Sequence, residues 1–185
     1  MRKQSNPLVL IVVLIAIAAG SRFLPHWHNF TAMGAAGLVG AAYLPKRYFG
    51  IVIPLIALFI SDLILNNLIY AHYFEGFVWF GKGAIWIYVA FAVLVLGGSA
   101  FLKKIKALNL IAAGLVGSVL FFLISNFGSF LIDPIYVKSP LGLVEAYVAG
   151  IPFFWNTLLA NVVFTLLLVG VFEWTSQRSL RAVIR

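Results

Sequence analysis

The apolar runs of this chain are long and continuous, and they do not alternate with polar residues; 108–132 and 150–174 are two of them. Such a segment has few choices. Inside a bilayer every backbone N–H and C=O must be satisfied by the protein itself, which leaves α-helices and closed barrels. Barrel strands need about 10 residues with a period of two, and that period is missing here. The pattern predicts an all-α membrane protein. Composition agrees, with 63% apolar and 10% charged residues, against about 45–50% and about 25% in soluble domains. An ordinary soluble domain, a disordered segment and a nucleic-acid module are thereby excluded. The chain has no cysteine, so disulfides, thiolate metal sites and thiol catalysis are excluded as well.

A crossing takes about 20 residues, so 185 residues hold six or seven spans and no large soluble domain. Six are expected, at 8–20, 30–44, 49–65, 77–101, 108–132 and 150–174, forming one integral membrane domain over 1–185 with no repeat or linker. Lys and Arg divide unevenly between alternate connections. Arg2, Lys3, Lys46, Arg47, Lys103, Lys104, Lys106, Arg178, Arg181 and Arg185 fall on one side, and Arg22, Lys82 and Lys138 on the other. The positive-inside rule then puts both termini in the cytoplasm. A competing reading takes the start as a signal peptide, with basic Arg2 and Lys3, an apolar run at 8–15 and Ala16-Ile17-Ala18 as a cleavage site. The six-span charge pattern closes without cleavage.

Polar residues are costly inside a membrane, so their placement is informative. They gather at the outer ends of the spans: Arg22, His26, His28 and Asn29 after the first, Asp62, Asn66 and Asn67 ending the third, and Lys82 near the start of the fourth. Ser125, Asn126, Ser129 and Asp133 end the fifth, and Phe153, Asn156 and Thr157 open the sixth. Asp62 and Asn66 share a helix face, as do Phe122, Asn126 and Ser129. Asn161 lies roughly 16 Å into its span at about 1.5 Å per residue, where an amide needs a partner or a cavity. The cytoplasmic halves are apolar and small-residue rich, with Glu173 placed to pair with Arg178.

Amides, two nearby histidines, a few charges and many aromatic rings suit a pocket for a small, partly aromatic molecule. Plainer roles compete. Trp27, Tyr70 and Trp79 fit interfacial anchors. Arg22 and Asp62 fit a structural ion pair, and Asn126 and Asn156 fit interhelical hydrogen bonding. His26 and His28 form a weak metal signal, and Pro152 fits the start of a helix. Ala32, Ala36 and Gly40 form a small-residue ladder on span two, with Ala16 and Gly20 at the same spacing on span one. Such faces either pack internally or dock a second membrane subunit, and span one is the better docking candidate.

Several motifs in order carry a resemblance. They are Arg22-Phe23-Leu24-Pro25-His26-x-x-Asn29-Phe30-Thr31, Ser61-Asp62-Leu63, Asn126-Phe127-Gly128, Gly142-Leu143 with Tyr147, and Ile151-Pro152-Phe153-Phe154-x-Asn156-Thr157. The chain resembles an uncharacterised group of bacterial membrane proteins, itself similar to the substrate-binding S components of energy-coupling-factor transporters. That resemblance implies a six-helix bundle with its amino terminus inside, a vitamin-like substrate bound near the outer face, and docking through the first helix onto a transmembrane coupling subunit driven by ATPases. A related solitary type handles cobalamin through a cysteine ligand. Here His26, His28 or His72 would have to substitute for it, and the amino terminus lacks the carboxylate-and-histidine pattern of the nickel and cobalt members. An organic substrate is therefore expected rather than a metal ion.

The expected function is capture of a small nutrient from the outer side of the bacterial inner membrane, without catalysis, cofactor or metal. Arg22, His26, Asn29, Asp62, Lys82, Asn126, Tyr136, Phe153 and Asn156 are the expected binding residues, with loops around Trp27, Tyr73 and Tyr136 as a lid. Ala16, Gly20, Ala32, Ala36 and Gly40 are the expected docking residues. Membrane lipids, the substrate and a coupling subunit with ATPases are the expected partners, and nucleic acid is not. No phosphate-binding glycine loop is present, so any energy comes from that partner. Two alternatives stay open: a structural subunit of a membrane complex, and an intramembrane lipid-modifying enzyme using His26, His28 and Asp62.

Overall fold

The computed structural model describes residues 7–44, 46 and 48–181, and side chains over 8–44, 46 and 48–176. Arg2, Lys3, Arg47 and Arg185, on which part of the orientation rests, lie outside the described residues, as do the side chains of Arg178 and Arg181. Six α-helices form among the described residues, and no strand. They are α1 (Pro7–Gly20), α2 (Met33–Tyr43), α3 (Phe49–Ile64), α4 (Ala84–Ser99), α5 (Ala107–Ile132) and α6 (Pro140–Arg181). A π turn, Leu65–Ile69, extends α3, and short 3-10 turns follow at Ser21–Phe23 and Ala71–Tyr73.

Three helices are long and apolar enough to cross a membrane: Phe49–Ile69, Ala107–Ile132 and Pro140–Ser176. The expectation of six such spans is corrected to three, with shorter apolar helices at Leu8–Phe23, Met33–Tyr43 and Ala84–Ser99. The reason is local backbone chemistry. Gly83 adopts a left-handed conformation, φ +80°, and α4 starts only after it, not at 77. Asn67 holds the preceding loop open by donating Nδ2 to the Val78 carbonyl at 2.8 Å and accepting the Val78 amide at 2.7 Å. Asn29, at φ +62°, delays α2 in the same way.

The sixth helix errs in the other direction. Ser139 accepts the Gly142 amide on its Oγ at 3.2 Å, and Pro140 occupies the first helical position, where its missing N–H costs nothing. The helix therefore begins ten residues earlier than the apolar run at 150. Pro152 lies inside it and does not start it.

The bundle is organised around α2, which touches every other helix. Residues 32–40 are all buried. Small side chains allow this, since helix axes approach only as far as their side chains permit. Gly40 meets the Cα of Gly50 on α3, and a Cβ at Gly50 would overlap the Ala41 backbone. The ladder Ala32, Ala36 and Gly40 is consumed by this internal packing, so its docking role is corrected: a buried face offers nothing to a partner. On α1, Ala16 is exposed and a Cβ at Gly20 would meet nothing within 4 Å.

Leu38 of α2 forms the core with Leu94 and Val95 of α4 and Ile11 and Ile15 of α1. Outward faces are apolar too, with Val52, Ile56 and Ile60 on α3 and Leu159, Val163 and Leu167 on α6 all exposed. An apolar exterior this extensive is unfavourable in water and compatible with lipid surroundings. At the end of the bundle where α2 finishes, Tyr43 donates to Glu173 Oε1 at 2.6 Å. Tyr43 is thus the described partner of Glu173; the expected pairing with Arg178 lies outside the described side chains.

Candidate ligand-binding site

The polar cluster assembles where α1, α3 and α5 end and α4 begins. Arg22, in the turn after α1, donates to Asp62 Oδ1 at 2.7 Å, to Ser61 Oγ and to the Leu58 carbonyl at 3.3 Å. Ser61 spends its own hydroxyl proton on Leu58 O at 2.8 Å, which leaves its oxygen free to accept from Arg22. Tyr88 on α4 donates to the other carboxylate oxygen, Asp62 Oδ2, at 2.8 Å. The ion pair anticipated from the sequence is therefore a brace across α1, α3 and α4. Its side chains are only 17% and 20% exposed, so water does little to weaken it.

Beside this brace lies a cavity of about 580 Å³, within the usual range of roughly 300–1,000 Å³ for small-molecule pockets. Its mouth carries His26, Asn29, Lys82 and Tyr136, its walls Phe91, Phe121, Phe122 and Phe153, and its depth Gly34, Leu94 and Asn161. Of the nine binding residues named from the sequence, eight line it: Arg22, His26, Asn29, Asp62, Lys82, Asn126, Tyr136 and Phe153. Asn156 does not. It donates to the His28 carbonyl at 3.0 Å and pins the 23–32 loop to α6. Its place in the site is corrected to the hydrogen-bonding role that had competed with it. Among the three expected lid positions, Tyr136 lines the cavity, while Trp27 and Tyr73 do not line it and are exposed.

Asn161 was read as needing a partner or a cavity, and it has both. It is 2% exposed, donates Nδ2 to Ser118 Oγ at 2.9 Å and lines the cavity. Ser118 in turn donates to the Gly114 carbonyl at 2.7 Å. One turn further along α6, the buried Thr165 hydroxyl has no hydrogen-bond partner among the described residues. Sequence reasoning missed Tyr88, Ser118, Gly34 and Gly150. The glycines carried a signal, since each sits on a helix face opposite an asparagine that needs room.

His26 donates Nδ1–H to its neighbour Leu24 O at 2.6 Å. No group of three or more His, Asp or Glu among the described residues could hold a metal ion. The arrangement can bind by hydrogen bonds, by one ammonium and by ring stacking.

Comparison with known proteins gives one family. The model described as "Family of unknown function (DUF6580)" matches residues 2–183. No curated protein and no solved structure matches the chain.

Proposed function

The chain belongs to that family of unknown function, and we propose that it is a substrate-binding membrane protein capturing a small organic molecule for uptake. In this reading all six helices lie in a bacterial inner membrane, with both termini cytoplasmic and the cavity open to the outer side. The short α2 needs no lipid contact because its neighbours enclose it, and α1 and α4 are accommodated by tilt and local thinning. The bundle is similar in plan to an S component. The exposed α1 face around Ala16 and Gly20 serves a transmembrane coupling subunit with its ATPases.

The observation that carries this reading is the cavity itself: a space of about 580 Å³ placed among polar side chains at one end of a bundle with an apolar exterior. An assembly subunit would spend such groups on each other. Arg22 and Asp62 are so spent, but Lys82 is not. For the lipid-modifying enzyme, Asp62 is a poor acid or base because both of its oxygens are committed.

The test is retention of a ligand. Purified chain in lipid nanodiscs, incubated with a small-molecule extract and washed, should carry a bound metabolite in native mass spectrometry. Asn126→Leu should lose it while folding normally. A wild-type chain that retains nothing removes the proposal.

A further inference from the structure

The two cavity amides are oriented by their surroundings, and that orientation dictates what they can bind. Ser118 has already given its proton to Gly114 O, so its oxygen can only accept from Asn161. The Nδ2 of Asn161 must face Ser118, and Oδ1 must face the other way. Asn126 obeys the same logic. Its Nδ2 donates to the Phe122 carbonyl at 2.8 Å, and a carbonyl accepts only. In both cases Oδ1 rests over a glycine that itself lines the cavity, Gly34 for Asn161 and Gly150 for Asn126, where any Cβ would overlap it. No described group donates to either oxygen. Neither oxygen is fully shut off from the cavity space, so each stands ready to accept an N–H or O–H from a guest in place of water.

Charge at the mouth is equally one-sided. The charged side chains lining the cavity are Arg22, Asp62 and Lys82. The first two neutralise each other, and Tyr88 takes the second Asp62 oxygen. Lys82 alone among them has no ion-pair partner among the described residues. The site therefore holds a net positive charge at its exposed end and a bare acceptor, Asn161 Oδ1, at its buried end, with Asn126 Oδ1 lying between.

We propose that the cavity binds a small organic acid end-on: a planar ring presenting an N–H or O–H donor inward to Asn161, and an acidic group outward to Lys82, with Asn126 Oδ1 an acceptor further out along its flank. This rests on the binding-protein reading above and names the chemical class of its ligand. The ring follows from the phenylalanine walls.

Four matched probes test it, with calorimetry on the full chain in nanodiscs: indole-3-acetate, its N-methyl derivative, indole-3-acetamide and tryptamine. Indole-3-acetate carries both required groups and should bind tightest. The N-methyl compound lacks the donor and the acetamide lacks the charge, so each should bind at least about tenfold more weakly. Tryptamine, a cation, should be weakest. Lys82→Met should abolish the preference for acid over amide. Asn161→Leu, or the smaller Asn161→Ala if the former fails to fold, should abolish the preference for N–H over N-methyl. Binding without this order, or an order that survives in the variants, overturns the inference and leaves the binding-protein reading standing. Binding of none of the four to wild type also overturns the inference, and the binding-protein reading is then decided separately by whether wild type retains a metabolite.

Discussion

Replacing Gly34 by alanine isolates the packing that fixes Asn161. The added Cβ overlaps Asn161 Oδ1. The amide cannot swing aside freely, because Ser118 holds Nδ2 at 2.9 Å and is itself tied to Gly114. Displacing it breaks a buried hydrogen bond worth about 0.6–1.7 kcal/mol in a membrane protein. Forcing the side chain off its rotamer adds about 0.5–1.5 kcal/mol. Removing a helical glycine returns roughly 0.5–1 kcal/mol. The net expectation is a loss of about 1–2 kcal/mol, measured by reversible unfolding in mixed micelles. Gly20→Ala is the control. Its backbone is right-handed helical, φ −62°, and its Cβ would meet nothing within 4 Å, so it should be neutral or slightly stabilising. The double variant Gly34→Ala/Asn161→Ala should lose much less than the sum of the single losses, because removing the amide relieves the overlap. Gly34→Ala as stable as Gly20→Ala, or additivity in the cycle, refutes the reasoning.

Three further outcomes follow from the polar contacts. Asp62→Asn leaves Arg22 without its counter-charge in a largely buried brace, and should cost about 2–4 kcal/mol in the same unfolding assay; Tyr88→Phe, which removes one hydrogen bond to that carboxylate, should cost only about 1 kcal/mol. Asn67→Ala removes both hydrogen bonds to Val78 and should speed proteolytic cleavage within 74–83 severalfold, with little change in global stability.

What the sequence disclosed depended on whether the deciding interaction was local in kind. The positions of the helices followed from apolar runs, and the polar end followed from where Arg22, Asp62, Lys82 and Asn126 fall along them. Helix ends were harder, because they turn on single residues. Counting apolar residues places the start of α6 at Gly150, although Ser139 and Pro140 form a recognisable start further back. In α4 the left-handed Gly83 outweighs the apolar 77–80 segment, which extends as loop. Pairings across the bundle were harder still. Nothing in spacing joins Tyr88 to Asp62 or Asn161 to Ser118, since those contacts exist only once α3, α4, α5 and α6 are packed. Asn156 and Asn161 show the limit well. Both are amides on one helix, and a five-residue offset sends one to a loop carbonyl and the other to the cavity.

The enclosure of α2 bears on how such a molecule is made. It has eleven residues, about 16 Å of helix, and its buried glycines and alanines offer lipid almost no grip. During synthesis it leaves the ribosome before α4, α5 and α6, which together supply much of its surroundings. Its seat in the bundle is thus conferred late, by helices not yet translated when it emerges, and truncation after α3 would leave it unseated.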